Sequence, residues 1–562
     1  MRWLLPSPVD PDLAARLAAE AGIAPWVAEV MIRRGKGGTA EAQRFLNPLL
    51  RTLSDPFLLP GMDAAATRII TALEAKERIA LYGDYDVDGV TSLTILARVL
   101  RASGGEVTTF LPHRVDEGYG LSADGVARCV AIHAPKLLIA VDCGTTSVAE
   151  IAGLRERGID TIVLDHHEPK EELPPVVAMV NPKVSGGDFR YLCSAGIAFK
   201  VAHALLKRRP VPGFDLKSVL DLVAVATVAD IVPLVDENRV LVKAGLERLE
   251  HTVWPGLRAL IDVAAIRPPF DSGHVGFALG PRLNASGRLA SAEASLELLM
   301  TDHAARATIL AKMLDQQNKE RREIEDDVCV KAEAQLRNRF VPESDAAIVV
   351  GGSGWHPGVV GIVASRIQRR YHRPTIVVGF DPFGIGKGSG RSIEGLSLIA
   401  ALGESADLLE KFGGHEMAAG LTMRQELFDE FRARFSSTAR TMVTPDQLVP
   451  RIHLDAEILF SAINFKLLEQ LASMQPFGAD NRQPVFIARR VTNVGEPRVM
   501  KERHISLTLR QGRHDIRAVW WGAAEYPLPP LPWDVAFTVS RNEWNGTVSP
   551  QVEVKDLRTS EP

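Results

Sequence analysis

Cysteine is scarce in this chain, with 4 among 562 residues. The four, Cys129, Cys143, Cys193 and Cys329, are scattered without the C-x-x-C spacing of a thiolate zinc site and without the density of a disulfide framework. The sequence also lacks an uninterrupted apolar stretch of about 18 residues and the apolar leader of a secreted protein. We therefore expect a cytoplasmic protein whose cysteines are buried small residues.

An excess of charge of either sign is also absent, because the formal net charge is only -4. Binding to nucleic acid would therefore depend on local basic patches rather than on the overall field. Repeats of fixed period and low-complexity tracts are absent as well, which argues against a solenoid. The length exceeds what one hydrophobic core serves, so we expect roughly three or four domains of about 100 to 200 residues each.

Between residues 78 and 232, short apolar runs alternate with helix-like segments. The runs are apolar throughout, as in strands of a parallel sheet buried on both faces: Ile79–Tyr82, Leu137–Val141 and Thr161–Leu164. Each helical segment between them opens with a serine suited to an N-cap: Ser122–Ile132, Ser147–Arg157 and Ser194–Lys207. This βαβ series predicts an α/β fold with a doubly wound parallel sheet.

The remainder of the chain predicts three further parts. Residues 301–342, rich in Ala, Leu, Lys, Glu and Arg, indicate a long connecting helix. Residues 343–445 indicate a second α/β domain, and residues 446–562 a β-rich domain resembling an OB barrel, with a hairpin turn at Asn545-Gly546. The parallel-sheet domain then covers residues 51–300, and residues 1–50 form an N-terminal segment in which we identify no chemistry.

Acidic and imidazole side chains follow three of the predicted strands. Asp84, Asp86 and Asp88 alternate directly after the first, Asp142 follows the second, and Asp165-His166-His167 follows the third. Alternate residues of an extended chain face one side, so we expect the first three carboxylates to converge. The carboxyl ends of parallel strands share one edge, which brings all these groups into one cleft.

Asp230 is a fourth contribution, a lone carboxylate in an apolar stretch, where an unpaired charge is costly. Taken singly, the aspartates could form an acidic turn or a calcium loop, the histidines could be structural, and Asp230 could cap a helix. Together they form an oxygen-rich ligand set with imidazole and no thiolate, which suits Mg²⁺ or Mn²⁺. Two such ions would support metal-assisted hydrolysis of a phosphoester.

The Asp165-His166-His167 motif and its companions resemble the signature of the DHH phosphoesterase superfamily, and the sequence is similar to the RecJ family over nearly its whole length. Further matching segments are residues 112–122, 280–288 and 413–420, the last being the glycine-histidine motif of the DHHA1 domain. The resemblance implies a 5′-to-3′ exonuclease that releases mononucleotides from single-stranded DNA in recombination and repair. It implies two Mn²⁺ or Mg²⁺ ions held by Asp84, Asp86, Asp88, Asp142, His166 and Asp230.

The resemblance also assigns roles to other residues. Asp142 is expected to bridge the metals and His167 to contact the scissile phosphate, while Asp84 replaces a histidine ligand that several relatives carry where this chain has Tyr82. The residues expected to bind the 5′-phosphate and the DNA backbone or to line the cleft are Arg114, Arg282, Ser389, Arg391 and His415. Trp520, Trp521 and Trp544 are candidates for stacking on bases, with at least one of the adjacent pair expected in the core.

Two alternatives remain open from the sequence. One is a DHH-type phosphodiesterase for short oligonucleotides or cyclic dinucleotides, and the other is a non-catalytic scaffold similar to RecJ. The appended β domain and long helix favour a polymer nuclease, and the filled ligand positions disfavour a scaffold. By resemblance only, single-strand-binding protein and a RecQ-type helicase are expected partners.

Overall fold

The computed structural model describes residues 1–112, 120–185, 189–289, 291–544 and 546–561. The chain divides into two compact units. One contains residues 1–2, 285–290 and 313–452, and the other contains residues 3–284, 291–312 and 453–562. None of the helices in these described ranges is long and apolar enough to cross a membrane.

The N-terminal segment is mostly helical. It contains β1 (Arg2–Leu4), α1 (Pro11–Ala21), α2 (Pro25–Arg33) and α3 (Thr39–Leu46). Leu17, Val27 and Met31 are buried together with Met474 from the C-terminal part of the same unit. The buried Arg239 adds three hydrogen bonds, to the carbonyl oxygens of Phe45, Ser473 and Met474. The segment that carried no predicted chemistry therefore packs against later parts of the chain.

A five-stranded parallel sheet follows, in the order β3-β2-β4-β5-β6. Its elements are α4 (Met62–Glu74), β2 (Arg78–Gly83), α5 (Val87–Ala102), β3 (Glu106–Phe110), α6 (Ala123–His133), β4 (Leu137–Val141), α7 (Val148–Glu156), β5 (Asp160–Leu164), β6 (Ala178–Val180), α8 (Pro182–Ser185) and α9 (Ser194–Arg208). All five residues of β4 are buried, as expected for a central strand covered on both faces. The doubly wound prediction is confirmed.

Helices complete this part of the chain. They are α10 (Leu220–Ala229), α11 (Asp236–Leu249), α12 (Pro255–Ala264), α13 (Ser272–His274), α14 (Gly280–Leu289) and α15 (Glu293–Met300). A π-helical turn, Val275–Leu279, joins α13 to α14. The predicted connecting helix is α16 (Ala304–Arg337).

The second α/β domain contains a mixed sheet in the order β10-β11-β9-β8-β7, in which only β7 and β8 are parallel. Its elements are β7 (Ile348–Ser353), α17 (Pro357–Tyr371), β8 (Thr375–Phe380), β9 (Ile385–Arg391), α18 (Leu398–Gly403), β10 (Lys411–Gly414), β11 (Ala418–Arg424) and α19 (Phe428–Met442). The buried Phe431 and Phe435 of α19 belong to the core that includes Ile376 and Val378 of β8.

The C-terminal domain is a closed barrel, as predicted. The short strand β12 (Arg451–His453) precedes it and pairs with β1 in a separate two-stranded sheet. The elements of the barrel domain are β13 (Ala456–Glu457), α20 (Phe465–Ser473), β14 (Phe486–Asn493), β15 (Arg498–Met500), β16 (His504–Gln511), β17 (His514–Trp520), β18 (Trp533–Trp544) and β19 (Thr547–Thr559). Closure follows from the pairing of β14 with both β18 and β16. The last two strands form an antiparallel hairpin with Trp544 opposite Thr547, while Asn545 of the predicted turn lies outside the described residues.

The serine N-caps were predicted with mixed success. Oγ of Ser122 accepts a hydrogen bond from the amide of Gly125, as a cap should. Ser147 occupies the cap position, but its side chain makes no capping bond within the described residues. Ser194 is already the first residue of α9, and Cys193 takes the cap position. The last prediction was wrong because the Ser194 side chain is used elsewhere, as described below.

Candidate functional site

Three neighbouring strands of the parallel sheet deliver acidic groups to one edge. Asp84 follows β2, Asp142 follows β4 and Asp165 follows β5, each directly after the last residue of its strand. All three carboxylates are buried, with at most 2% of each residue exposed. The predicted convergence at the carboxyl edge is therefore present in the structure.

Asp86 and Asp88 reach this edge by a different route from the one predicted. β2 ends at Gly83, and Asp86 caps α5 by accepting hydrogen bonds from the amides of Asp88 and Gly89. Asp88 then lies in the first helical turn. The alternation argument was wrong, because a strand-to-helix turn rather than an extended strand gathers the three side chains.

Gly89 makes this tight turn possible. A Cβ atom at this position would lie 2.3 Å from the carbonyl oxygen of Asp84, closer than real Cβ contacts. The first turn of α5 thus approaches the end of β2 more closely than any side chain would allow.

The ligand atoms form groups that share members. One group contains Asp84, Asp86 and Asp142, a second contains Asp88, His166 and Asp230, and a third contains Asp142, His166 and His167. Within each group, one ligand atom from every residue lies within 4.8 Å of the others. Nε2 of His166 lies 3.3 Å from Oδ1 of Asp142, so the first two groups are adjacent. All seven predicted catalytic residues are therefore brought together.

The N-terminus of α9 holds two of these carboxylates. The amides of Ser194 and Ala195 donate to the two oxygens of Asp88 at 2.7 and 2.8 Å. Oγ of Ser194 donates to Oδ1 of Asp142 at 3.0 Å. Backbone donors at a helix N-terminus favour a negative charge, so α9 partly compensates the burial of Asp88.

The remaining electrostatics of the cluster are unfavourable without cations. Burial, followed by repulsion from Asp88 and the other carboxylates, raises the pKa of Asp142 well above its ordinary value. Burial and neighbouring carboxylates likewise raise the pKa of Asp88 to about 6 and that of Asp230 to about 9. Burial and the neighbouring His167 lower the pKa of His166 to about 3, so this imidazole is neutral and able to bind a metal.

A divalent cation fits these residues. Oδ2 of Asp230 is buried and accepts no hydrogen bond from any residue in the described ranges. Carboxylate oxygens with one neutral imidazole are the donors that Mg²⁺ and Mn²⁺ bind in proteins. Cations placed among these groups would remove the repulsion that raises the three pKa values.

Asp165 has a different role from the other acids. Its Oδ1 accepts hydrogen bonds from the amides of His166 and His167 and lies 2.7 Å from Nδ1 of His167, while Oδ2 accepts from the amide of Thr145. Burial would raise the pKa of Asp165, but these interactions outweigh it and hold the pKa below its ordinary value. Conversely, burial would lower the pKa of His167, yet the hydrogen bond and charge of Asp165 raise it.

Several residues for which the sequence predicts no function support the site. Asp165, Ser194 and Asn181, whose Nδ2 donates to Thr145 and to the carbonyl oxygen of His167, all position ligands or the imidazole. Asp165 could have been found from its place in the DHH motif, next to two histidines that need orienting. Ser194 and Asn181 have no signal in the sequence, because their partners are distant in the chain.

The predicted phosphate-binding residues of the parallel-sheet domain are only partly described. Arg282, half-buried on α14, donates to the carbonyl oxygen of Ala278 at 2.8 Å. Arg114 lies outside the described residues.

Tyr82 occupies the position where several relatives carry a histidine ligand. It is fully buried, and its hydroxyl donates to the carbonyl oxygen of Gly120.

Ser389 and Arg391 are neighbours on β9 of the second α/β domain, and His415 lies in the turn between β10 and β11. In β9, Nη1 of Arg391 donates to Oγ of Ser389 at 2.9 Å. Arg391 pairs in register with Ala418, whose carbonyl oxygen accepts from the amide of the exposed His415. Burial lowers the pKa of Arg391.

The backbone of α17 lies close to Ser389 and Arg391 at Gly361. A Cβ atom at Gly361 would lie 3.0 Å from Oγ of Ser389 and 3.3 Å from Nη2 of Arg391. A guanidinium and a hydroxyl therefore lie against the second turn of a 15-residue helix, and the guanidinium favours an anion at this place.

The adjacent tryptophans of the barrel differ in exposure, as expected for neighbours whose side chains point to opposite faces. Trp520 is half-buried and packs against the barrel core, whereas Trp521 is 55% exposed beside His504. The side chain of Trp544 lies outside the described part of the molecule.

Comparison with known proteins agrees with this architecture. Residues 78–227 match the family described as "DHH family, N-terminal domain", residues 344–441 match the DHHA1 domain, and residues 454–556 match the RecJ OB domain. The single-stranded-DNA-specific exonuclease RecJ of Bacillus subtilis is 37% identical, with 100% of this chain and 71% of that protein covered. Its counterpart in Escherichia coli is 34% identical, with 88% of each protein covered.

A solved structure agrees over the whole chain. The crystal structure of RecJ from Thermus thermophilus in complex with Mn²⁺ has a TM-score of 0.86 and 34% sequence identity, covering 100% of this chain and 80% of that one. A structure of the same protein in complex with Mg²⁺ has a TM-score of 0.80. With three matching domains in order and relatives covered over most of their length, the chain belongs to the RecJ family of DHH phosphoesterases.

Proposed function

We propose that this protein is a single-strand-specific DNA exonuclease that hydrolyses phosphodiester bonds with two divalent cations, Mn²⁺ or Mg²⁺. The observation that carries the proposal is the position of Asp142 between two ligand groups, one with Asp84 and Asp86 and one with His166. The family relatives are named for single-stranded DNA as their substrate. A carboxylate shared by two ligand sets would keep two cations close enough to act on the same phosphate, as two-metal hydrolysis requires.

The role proposed for each metal ligand follows from the group of neighbouring ligand atoms to which it belongs. Asp84, Asp86 and Asp142 would hold one cation, and Asp88, His166 and Asp230 would hold the other, with Asp142 placed to serve both. Cations in these positions would supply an activated water and neutralise charge on the phosphate. The amides of α9 keep Asp88 oriented for this task.

His167 acts on the phosphate rather than on the cations. The hydrogen bond and charge of Asp165 raise its pKa against the effect of burial, so the imidazole keeps its proton to a higher pH than an ordinary histidine would. The hydrogen bond to Asp165 fixes Nδ1, which leaves Nε2 to donate to a phosphate oxygen. Asp165 is thus a positioning residue for His167.

Degradation from the 5′ end, with release of 5′-mononucleotides, is the polarity that we propose. Arg391 and Ser389, with the turns of α17 beside them, would bind a terminal 5′-phosphate. His415 would line the same cleft, and Arg282 and Arg114 would bind the backbone that follows. A guanidinium with a neighbouring hydroxyl is well suited to a phosphate with two free oxygens.

The proposal extends to the roles of the domains, the location of the enzyme and its partners. The functional division follows the predicted boundaries, with residues 51–300 catalytic, 343–445 binding the 5′ end and 446–562 binding the strand. We place the enzyme in the cytoplasm, where its four buried free cysteines remain reduced. There it would act in recombination and repair with single-strand-binding protein and a RecQ-type helicase.

End-labelled DNA tests the function directly. The purified protein with Mn²⁺ should release labelled mononucleotide at once from 5′-labelled single strands and only late from 3′-labelled ones, with little action on duplex. Faster cleavage of dinucleotides than of long strands would favour a small-substrate phosphodiesterase instead. A double variant, Asp142→Ala with His166→Ala, should be inactive; unchanged activity would contradict the metal assignment.

A further inference from the structure

Two large apolar side chains are exposed on segments that adjoin the elements bearing the carboxylate cluster. Phe277 is 78% exposed and Ile231 is 74% exposed. Ile231 directly follows the proposed ligand Asp230, and Phe277 lies in the π-helical turn before α14. Exposed residues of this size form no part of the core, so their place next to the site calls for a partner.

The backbone at both residues is unusual. Ile231 has a φ of 60°, in the left-handed region that a β-branched residue rarely adopts. Phe277 lies within a π-helix, a rare structure that is found mainly as single turns at functional sites. Strain of this kind persists where the surrounding structure enforces it, and it concentrates at binding and catalytic sites.

The helical segment that carries Phe277 contacts both sides of the cluster. A Cβ atom at Gly280 would lie 3.4 Å from Cβ of Ala229, which precedes Asp230. Farther along, Oδ1 of Asn284 accepts a hydrogen bond from the amide of Val87, between Asp86 and Asp88. The segment is therefore fixed to the ends of α10 and α5 that bear the proposed ligands.

We infer that Phe277 and Ile231 form an apolar contact for the base of a nucleotide whose phosphate lies at the carboxylate cluster. The inference rests on the proposed function and names the part of the substrate that this surface binds. Contact with the face of a base needs no hydrogen bonds and tolerates all four bases, as an exonuclease requires. It holds the nucleotide by its base while the carboxylates act on its phosphate.

Abasic DNA isolates this contact. A single abasic residue is placed in turn at each of the first few positions of a 5′-phosphorylated strand, and kcat/KM is measured for wild type and Phe277→Ala. We expect Phe277→Ala to lower kcat/KM on normal DNA by about tenfold, the scale of losing one base-stacking aromatic. At one abasic position the wild type should fall by a similar factor and the variant should show no further loss.

Matched variants separate a base contact from damage to the fold. Phe277→Trp should retain activity, and Phe383→Ala, which removes an 87% exposed phenylalanine from the other unit, should behave as wild type. Ile231→Gly should raise the thermal midpoint by relieving the left-handed strain and yet lower kcat/KM. Mn²⁺ affinity should be unchanged in all four variants.

Two outcomes would overturn the inference. One is unchanged kcat/KM in Phe277→Ala, and the other is a loss in that variant that adds fully to the loss at every abasic position. Binding of single strands without divalent cations, followed by fluorescence anisotropy, tests the same contact without turnover. If the wild type binds DNA but does not cleave it, the proposed function fails. A lower affinity of Phe277→Ala for the single strand, measured by anisotropy, would still support the contact.

Discussion

Nδ1 of His167 lies 2.7 Å from Oδ1 of Asp165, a carboxylate that belongs to none of the three ligand groups. The pair joins a buried acid, whose pKa is lowered, to a half-buried imidazole, whose pKa is raised. Asp165 therefore determines both the direction in which His167 points and the pH range in which it carries a proton.

Replacing Asp165 with asparagine should slow catalysis by about 100-fold, the scale of a positioned proton donor. The raised pKa of His167 means that the protonated imidazole is lost as pH rises through that value. In Asp165→Asn the pKa of His167 falls, so the alkaline limb of the kcat/KM profile should move to lower pH. Mn²⁺ affinity, measured by calorimetry, should stay close to that of the wild type; an unshifted pH profile would contradict the role of Asp165.

Cation binding should release protons. At pH 7 Asp230, with a pKa of about 9, still carries a proton that a cation must displace, whereas Asp88, with a pKa of about 6, is mostly ionised. The affinity for Mn²⁺ should therefore increase as pH rises from about 6 to about 9. Calorimetry at pH 7 in buffers of different ionisation enthalpy gives the number of protons released, and a value of zero would show that these carboxylates are not the ligands.

Arg391 should determine preference for a phosphorylated end. In Arg391→Ala, kcat/KM on 5′-phosphorylated strands should fall by about tenfold or more, the scale of a lost charge-assisted hydrogen bond. Activity on 5′-hydroxyl strands should change little. Arg391→Lys should recover only part of the preference, because an ammonium cannot reproduce the planar fork of donors. Equal losses on both kinds of strand would place Arg391 away from the 5′ end.

Asp221 of α10 offers a test of stability outside the ligand groups. Burial is the main cause that raises its pKa to about 6, although Thr252 and Trp254 donate hydrogen bonds to it. The folded state thus binds the proton more tightly than the unfolded chain does. This group therefore favours folding below about pH 4, and that contribution is lost as pH rises through about 6.

Asp221→Asn should remove this dependence on pH. The free energy of unfolding of the variant, relative to wild type, should increase by about 2 kcal/mol between about pH 4 and about pH 6.5, since each pKa unit corresponds to about 1.4 kcal/mol. Urea unfolding of both proteins across this range gives the difference. A constant difference would mean that Asp221 is ionised at a normal pKa in the folded protein.

The cluster at the edge of the sheet could be predicted from the sequence because parallel strands leave little freedom in where the residues that follow them lie. Apolar runs located β2, β4 and β5, and the residue after each run had to lie at the shared carboxyl edge. Asp230 was identified by a different argument, the cost of an unpaired charge in an apolar stretch. Both arguments use only local sequence and general physical chemistry.

The remaining features depend on contacts that local sequence does not encode. Ser194 has the composition of an N-cap, but its hydroxyl bonds to Asp142 because α9 points its N-terminus at the cluster. Asp88 was expected in an extended chain after β2, whereas it lies in the first turn of α5, which the close approach at Gly89 allows. Phe277 lies in a π-helical turn that no local sequence pattern predicts.

Anomalous scattering from a crystal of the wild-type protein soaked in Mn²⁺ tests the central claim most directly. Two peaks about 4 Å apart are expected, one bounded by Asp84 and Asp86 and the other by Asp88, His166 and Asp230, with Asp142 between them. A site that stays empty at saturating Mn²⁺, or peaks bound only by residues outside this set, would contradict the account.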